Sequence, residues 1–201
     1  MFSVQCLKRM TLQFSNDIIF SKDINKFKFV SEVLKMKIEL KKWSFKDKEF
    51  LIKMCNTIDR NYLSDRLPNP YTNESAKWWL NMVKENDEKK GVFRKIVVDG
   101  KIIGTISVEQ KEDVYRKDSE IGYYLLQEVY SKGIMTEAVR QICEIAFEKL
   151  DIIRITGMVY EPNIASRKVL EKNNFLLEGI MKKAVIKNKN IYDLCIYGKV
   201  R

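Results

Sequence analysis

The stretch from Glu120 to Ala138 has features that could hold an anion. Its first part has the composition of a strand, Lys132 and Gly133 follow in a short loop, and an amphipathic helix comes next. The first turn of a helix leaves backbone N–H groups without partners inside the helix, and these groups carry a partial positive charge. Because Gly133 has no side chain, an anion can approach this backbone closely. An ordinary strand-to-helix connection has the same pattern, so both interpretations stay open on these residues alone.

The sequence contains no histidine, and this excludes several kinds of catalysis. A Ser-His-Asp triad, a Cys-His pair and a histidine-ligated metal are all impossible. The four cysteines lie far apart without a CxxC pair, which argues against a zinc site and against a disulfide framework. We therefore predict no metal, reduced thiols in a cytoplasmic protein, and catalysis by Glu, Asp, Tyr, Lys, Cys, a hydroxyl or water.

The composition is that of a globular protein. The 201 residues suffice for one domain with a buried core, with 45% hydrophobic and 32% charged residues. No apolar run reaches the ~20 residues of a membrane-spanning helix, so no membrane is expected as a partner. The formal net charge is +10, but lysines are spread along the chain without an arginine-rich tract or a nucleic-acid-binding motif. We interpret the charge as a compositional bias and do not favour nucleic acid as a partner.

Residues 1–35 differ from the rest of the chain. They carry short apolar clusters without a sustained period, and they contain no glycine or proline. The first sixteen residues, with two bases and no acid, faintly resemble an organellar presequence. From Met36 onward, apolar and charged residues alternate, which is typical of a strand. We predict that residues 1–35 are a poorly ordered N-terminal extension, or precede the true start, and that residues 36–201 form the domain; targeting is the alternative.

Helices and strands alternate from Met36 onward. Helical spacing of apolar residues predicts helices over about 46–57, 72–86, 134–150 and 162–173. The apolar side predicted for the second of these helices consists of Trp78, Trp79, Met82 and Val83. Asp99-Gly100 between two apolar runs predicts a hairpin, because a type I′ turn needs positive φ at both positions. These elements indicate an α/β or α+β protein with helices on both faces of a mixed sheet.

Two blocks of sequence resemble a known family. Glu120–Leu125 and Lys132–Ala138 are similar to the "EIGYWL" and "GKGIMTEA" segments of the acetyl-CoA-binding motif in the GNAT superfamily of N-acetyltransferases. The branch most similar contains the ribosomal-protein alanine N-acetyltransferases. The second block, Asn163–Phe175 followed by Glu178-Gly179, resembles the family's "N-x-A-S … L-E-K-x-G-F … E-G". The closing strand is similar too, so the resemblance covers about residues 37–201.

The resemblance implies a GNAT fold with acetyl-CoA as the cosubstrate. In this fold a central mixed, mostly antiparallel sheet of six to seven strands is flanked by about four helices and splayed at strands 4 and 5. A backbone N–H between Tyr123 and Leu125 would stabilise the oxyanion. Asn163 would bond the pantetheine or its neighbours, with helix capping as its alternative. The other implied contacts are those of the backbone of Lys132, Gly133, Ile134, Met135 and Thr136 with the pyrophosphate, and of Leu125 and Leu126 with the pantetheine arm.

Three positions depart from the family pattern. Ser131 replaces the first glycine of Gly-Lys-Gly, and its Cβ narrows the allowed backbone angles. Asn174 replaces a glycine after a helix, where asparagine best tolerates the expected left-handed conformation. Leu170 stands where many members carry a tyrosine that protonates the departing thiolate. The resemblance therefore implies Ser166 as the thiolate acid, with helix capping as its alternative role.

The proton of the attacking amine needs a base. Glu120 is the predicted base, Glu109 is an equal rival, and a structural salt bridge is the alternative for Glu120. At pH 7, deprotonating an α-amine (pKa ~7.7–8.0) requires a free energy of about 1–1.4 kcal/mol. Deprotonating a lysine side chain (pKa ~10.4) requires about 4.6 kcal/mol. A site without histidine is better matched to the α-amine than to the lysine side chain. We therefore predict acetyl transfer to the N-terminal α-amine of a protein or peptide.

Other functions stay open on the sequence. The enzyme could acetylate a small molecule such as a polyamine, an amino acid or an antibiotic, although basic loops over 111–117 and 182–189 would repel a polycation. A GNAT-like module could also bind acyl-CoA without catalysis, and a basic protein could bind nucleic acid. The sequence is compatible with a monomer and with a homodimer.

Overall fold

The structure of the protein is a computed structural model that describes residues 36–201. The extension predicted over residues 1–35 lies outside the described residues, so the domain boundary at Met36 stays a prediction. Within 36–201, seven strands and four α-helices alternate. The strands are β1 (Ile38–Lys42), β2 (Gly91–Val98), β3 (Lys101–Gln110), β4 (Ser119–Leu125), β5 (Arg154–Tyr160), β6 (Leu176–Lys187) and β7 (Asn190–Val200). The helices are α1 (Lys48–Thr57), α2 (Asn73–Asn86), α3 (Ile134–Lys149) and α4 (Ile164–Glu171).

The seven strands form one sheet in the order β1-β2-β3-β4-β5-β7-β6. All neighbours are antiparallel except β4 and β5, which are parallel. The parallel ladder is a single residue pair, Glu120 with Thr156. Beyond this pair no ladder joins the two strands, although β4 continues beside β3 and β5 beside β7, so β4 and β5 separate. The predicted mixed, mostly antiparallel sheet with a splay at strands 4 and 5 is confirmed.

The hairpin between β2 and β3 turns where the sequence predicts it. Asp99 has φ 48° and Gly100 has φ 80°, as a type I′ turn requires. The last two strands turn in the same way at Asn188 and Lys189, which also have positive φ. Local turn chemistry therefore sets the register of both hairpins.

The two sheet faces are covered by different pairs of helices. One face packs on α1 and α2, around a core that includes Leu51, Met54, Leu80, Val83 and Phe93. The other face packs on α3 and α4, since α3 contacts β1 to β3 and α4 contacts β5. Because strand residues alternate between faces, each residue of β4 and β5 belongs to one of these two sides.

One expectation about α2 is wrong. Trp78 does not belong to the apolar side, since its side chain is 69% exposed. The buried residues of this helix are Ala76, Leu80 and Val83, and Trp79 packs edge-on against Trp43 with ring centroids 5.5 Å apart. A helix turns by 100° per residue, so two adjacent tryptophans cannot both face the core, and the stripe set by Ala76 and Leu80 leaves Trp78 outside.

Candidate active site

The vertex between β4 and β5 is fastened by a polar network. The Thr156 hydroxyl donates to the Asp118 carboxylate at 2.8 and 3.0 Å, and the Ser119 backbone N–H donates to the same carboxylate at 2.8 Å. The Ser119 hydroxyl donates to the Arg154 carbonyl at 2.9 Å, which ties β4 directly to β5. These bonds hold the strands together at Glu120 and Thr156, so the separation begins at a defined point.

Beyond the vertex, β4 directs backbone groups into the gap that have no strand partner among residues 36–201. The Leu126 N–H donates to the Ile103 carbonyl at 2.9 Å, and Gly104 lies opposite Leu125 in the β3–β4 register. Hydrogen-bonded pairs alternate along an antiparallel ladder, so Tyr124 bonds to β3 while Tyr123 and Leu125 direct their N–H groups away from it. The gap beside β4 can therefore receive an extended ligand, and Tyr123 and Leu125 supply its donors.

The N-terminus of α3 follows directly and lacks a side-chain cap. Gly133 occupies the N-cap position with φ 73°, and the first intrahelical bond runs from Glu137 N–H to the Gly133 carbonyl at 3.2 Å. Within the described residues, the N–H groups of Ile134, Met135 and Thr136 have no partner. Three free donors at a helix start attract an anion, and the exposed Lys132 side chain adds a positive charge. This arrangement fits the pyrophosphate of a nucleotide cofactor.

Two residues at glycine positions of the family adopt the left-handed conformation. Ser131 has φ 62°, in the loop before Gly133, and Asn174 has φ 63°, after α4. The expectation for Asn174 is confirmed. Ser131 carries a Cβ in a backbone conformation that favours glycine, so the loop is strained at this residue.

Replacing Ser131 with glycine should relieve this strain. We expect the free energy of unfolding to rise by up to about 1 kcal/mol, because the left-handed penalty disappears while glycine adds backbone entropy to the unfolded chain. Urea titration of both proteins measures the change. Asn174→Gly is the matched control, with a smaller expected gain because asparagine tolerates this conformation better. A Ser131→Gly protein that unfolds more easily would contradict the argument.

Helix α4 brings Ser166 to the gap. The Asn163 side chain accepts from the Ser166 backbone N–H at 3.2 Å and caps the helix. The Ser166 hydroxyl lies 2.7 Å from the Tyr123 hydroxyl on β4. Asn163 thus has its alternative role as a cap, and its contact with a cofactor stays a prediction. Ser166 is not the cap itself, since the side chain that caps α4 belongs to Asn163.

Close packing of α4 on β5 sets the position of Ser166. Leu170 is completely buried, and a Cβ at Gly157 would lie 2.6 Å from its Cδ1 atom. A side chain at Gly157 would therefore displace the Leu170 side chain, which packs α4 on the sheet. The leucine that replaces the family tyrosine is thus part of the core.

Glu120 lies on the opposite face of β4, together with Gly122 and Tyr124. Its carboxylate is half-buried at the vertex and makes no hydrogen bond or ion pair with any described residue. Burial raises the pKa of the Glu120 carboxyl above its usual value, although the charges of Lys111 and Arg66 oppose this. A half-buried carboxylate with a raised pKa is suited to accept a proton near neutral pH.

Glu109 faces Glu120 directly across the β3–β4 ladder. Unlike Glu120, it accepts a hydrogen bond from the Ser107 hydroxyl at 3.0 Å. The structure therefore places both candidate bases on one side of the sheet. The salt-bridge role considered for Glu120 has no support among the described residues.

On the same side of the sheet, the central strands leave an exposed surface between Glu120 and Tyr160, which we call the groove. Met158, in the middle of β5, is 42% exposed although central strands are usually covered. The Tyr160 ring at the end of β5 contacts Tyr62 edge-on at 6.2 Å and stacks on Tyr192 at 6.1 Å. Glu120 lies at one end of this groove and the three aromatic rings at the other, so an acceptor molecule can approach the gap from this face.

The family model described as "Acetyltransferase (GNAT) domain" matches residues 37–176. The chain belongs to the GNAT acetyltransferase family. The resemblance read from Glu120–Ala138 and Asn163–Phe175 is thereby confirmed, and so is the prediction of a GNAT fold. The GNAT domain accounts for the splayed strands and for the uncapped start of α3 in one architecture.

Two relatives from Bacillus subtilis strain 168 support the assignment. The putative ribosomal N-acetyltransferase YdaF is 34% identical over 111 residues, which is 55% of this chain and 60% of that protein. The probable N-acetyltransferase YjcK is 38% identical over 120 residues, 57% of this chain and 65% of that protein. The matches thus span less than two thirds of the length of these relatives.

A solved structure shows the same fold. RimL, described as a ribosomal L7/L12 alpha-N-protein acetyltransferase in complex with coenzyme A, superimposes with a TM-score of 0.71 at 21% identity. The superposition covers 81% of this chain and 93% of RimL.

The structure adds a site residue that the sequence pattern missed. Tyr123 contacts Ser166 and Tyr124 contacts the Cys55 thiol at 3.2 Å, and the sequence pattern indicated neither contact. Alternation along β4 gives a signal, since it separates Tyr123 from Tyr124, but it does not name the helix on each face.

In the described part of the chain, no helix is long and apolar enough to cross a membrane. No group of three acidic or cysteine side chains there is placed to hold a metal ion.

Proposed function

We propose that this GNAT domain transfers an acetyl group from acetyl-CoA to the N-terminal α-amine of a protein or peptide. The observation that carries the proposal is the convergence at β4. Beyond its pair with β5, β4 leads into the uncapped start of α3, and its Tyr123 hydroxyl lies 2.7 Å from Ser166 Oγ, while Glu120 lies on the other face of the strand. Family membership supports acetyl transfer as the reaction.

The chain would bind the cofactor largely through backbone N–H groups. The N–H groups from Lys132 to Thr136 would hold the pyrophosphate, as the three free donors at the start of α3 indicate. Leu125 and Leu126, where β4 leaves the sheet, would accept the pantetheine arm, and Asn163 would lie beside it. Acetyl-CoA supplies the thioester, whose carbon–sulfur bond breaks as the amine nitrogen bonds to the acetyl carbon.

Residues on the two faces of β4 would take part in different steps of the reaction. The N–H of Tyr123 or Leu125 would stabilise the negative charge that develops on the acetyl oxygen. Glu120 would take the amine proton, directly or through water, from the groove side. Ser166 would donate a hydrogen bond to the departing sulfur from the α4 side. Attack and departure thus occur on opposite sides of the strand.

An α-amine is the acceptor that this machinery suits best. The sequence has no histidine, and a carboxylate stays a weaker base than an amine even when burial raises its pKa, whereas an α-amine is already partly neutral at pH 7. The relatives agree, since RimL acts on an α-amine of ribosomal L7/L12 and YdaF is named as a putative ribosomal enzyme. The cytoplasmic location and the monomeric or homodimeric state predicted from the sequence stay predictions.

A mixed panel of acceptors tests the proposal. An Ala- or Ser-initiated peptide should give the highest kcat/KM with acetyl-CoA, above spermidine and above a peptide with a blocked N-terminus and a free lysine. The rate should fall below pH 7 as the α-amine takes up a proton. If spermidine outcompetes every peptide, the small-molecule alternative replaces this acceptor. If acetyl-CoA binds but no acceptor reacts, the chain is an acyl-CoA-binding module instead.

A further inference from the structure

A pair of hydroxyl groups joins β4 to α4 at the gap. The Tyr123 Oη atom lies 2.7 Å from Ser166 Oγ and 3.4 Å from the Ser166 carbonyl oxygen. Ser166 is also held through its backbone N–H, which donates to Asn163. Burial raises the pKa of the Tyr123 phenol well above its usual range, so it keeps its proton at neutral pH.

The direction of this hydrogen bond decides what Ser166 can do. A serine hydroxyl has one proton, and if it donates to Tyr123, it has none for another acceptor. The Tyr123 hydroxyl lies nearer to Ser166 Oγ, at 2.7 Å, than to its other acceptor, the Ser166 carbonyl oxygen, at 3.4 Å, so its single proton is best placed on the bond to Oγ. When Tyr123 donates to Ser166 Oγ, the serine proton can point elsewhere, and the gap beside β4 lies next to it.

We propose that Tyr123 is a positioning residue for Ser166, donating to its Oγ atom so that the serine proton is directed at the sulfur that departs. The inference rests on the proposed function and adds the group that makes Ser166 effective. Without the phenol, Ser166 could turn its proton towards a backbone carbonyl in the preceding turn, as helical serines commonly do.

The step balances without a proton from Tyr123. The amine nitrogen bonds to the acetyl carbon, the carbon–sulfur bond breaks, and its electron pair stays on sulfur. The amine proton leaves on the groove side through Glu120, and Ser166 stabilises the new thiolate by a hydrogen bond. Tyr123 keeps its proton throughout, in agreement with its buried phenol.

A double-mutant cycle tests this role. We expect Tyr123→Phe to lower kcat about tenfold, with the KM for acetyl-CoA unchanged within about twofold, since the lost bond acts only as sulfur departs. Ser166→Ala should lower kcat at least as much, and the double variant no further than Ser166→Ala alone. Ser166→Thr, which keeps the hydroxyl, should retain more activity than Ser166→Ala and covers the case that Tyr123→Phe does not fold. Tyr71→Phe is the control, because it removes a buried phenol hydroxyl outside the site.

Binding of CoA itself gives a second measurement. The wild-type protein should bind the thiolate form preferentially, and the pKa of the bound thiol, followed by thiolate absorbance, should lie below the ~8.5 of an ordinary thiol. In Tyr123→Phe and Ser166→Ala this pKa should rise towards the ordinary value. An unchanged thiol pKa with full kcat in Tyr123→Phe, or losses that multiply in the double variant, would overturn the inference. It would also be overturned if Ser166→Ala had full activity, although acetyl transfer by the wild type would then leave the proposed function standing. A wild type that transfers no acetyl group would overturn both.

Discussion

Gly133→Val should abolish acetyl-CoA binding in a protein that still folds. Gly133 has φ 73° at the N-cap of α3, where a β-branched residue is strongly disfavoured. Its side chain would also occupy the space beside the free N–H groups of Ile134 and Met135, where the pyrophosphate must approach. We expect affinity measured by calorimetry to fall by at least about 100-fold, since a misplaced loop loses several charge-assisted hydrogen bonds together.

Gly100→Val is the matched control for this substitution. Gly100 has φ 80° in the β2–β3 hairpin, and nothing lies within 4 Å of a Cβ built there. Both variants should therefore lose comparable stability, but only Gly133→Val should lose acetyl-CoA. Near-normal affinity in a folded Gly133→Val protein would contradict the proposed pyrophosphate site, whereas equal loss in both variants would point to unfolding.

Glu120→Gln should lower kcat about 100-fold at neutral pH, the low end of what a general base contributes. Glutamine keeps the size of the side chain but cannot accept the amine proton. Because burial raises the pKa of the Glu120 carboxyl, the wild type should lose activity as the pH falls through a value above that of an ordinary glutamate. In the variant, activity should no longer depend on the titration of residue 120. Its pH–rate profile should show only the fall caused by protonation of the α-amine of the acceptor.

Glu109→Gln is the decisive comparison. Glu109 lies opposite Glu120 on β3, on the same face of the sheet. The two differ in that Glu109 accepts a hydrogen bond from the Ser107 hydroxyl. We expect this variant to change kcat by less than about threefold, because its carboxylate is already engaged. If Glu109→Gln causes the large loss and Glu120→Gln does not, the base is Glu109.

The sequence by itself determined the features that depend on neighbouring residues. The hairpin at Asp99-Gly100 and the helix that starts after Gly133 follow from local backbone preferences, and both are observed. The left-handed conformation of Asn174 belongs to the same group. Such features need only a few residues, whose conformational energies do not depend on the rest of the fold.

The family pattern added the splay between strands 4 and 5 and the identity of the cofactor. It also pointed to Ser166 through the leucine at position 170. The structure gives this leucine a physical reason, since Leu170 packs against Gly157 and fixes how closely α4 approaches β5. The pattern alone could not show that contact, because the two residues lie on different elements.

Only the tertiary structure decided which residues of β4 face which partners. Tyr123 and Tyr124 are adjacent in sequence and equally apolar, yet one reaches Ser166 on α4 and the other Cys55 on α1. Glu120 and Glu109 are eleven positions apart and meet because β3 and β4 pair in a particular register. The gap itself exists because β4 and β5 pair at one residue only, while β4 continues beside β3 and β5 continues beside β7. Long-range pairing is selected by the packing of the whole core, and the periodicity of a single strand carries no information about its partner.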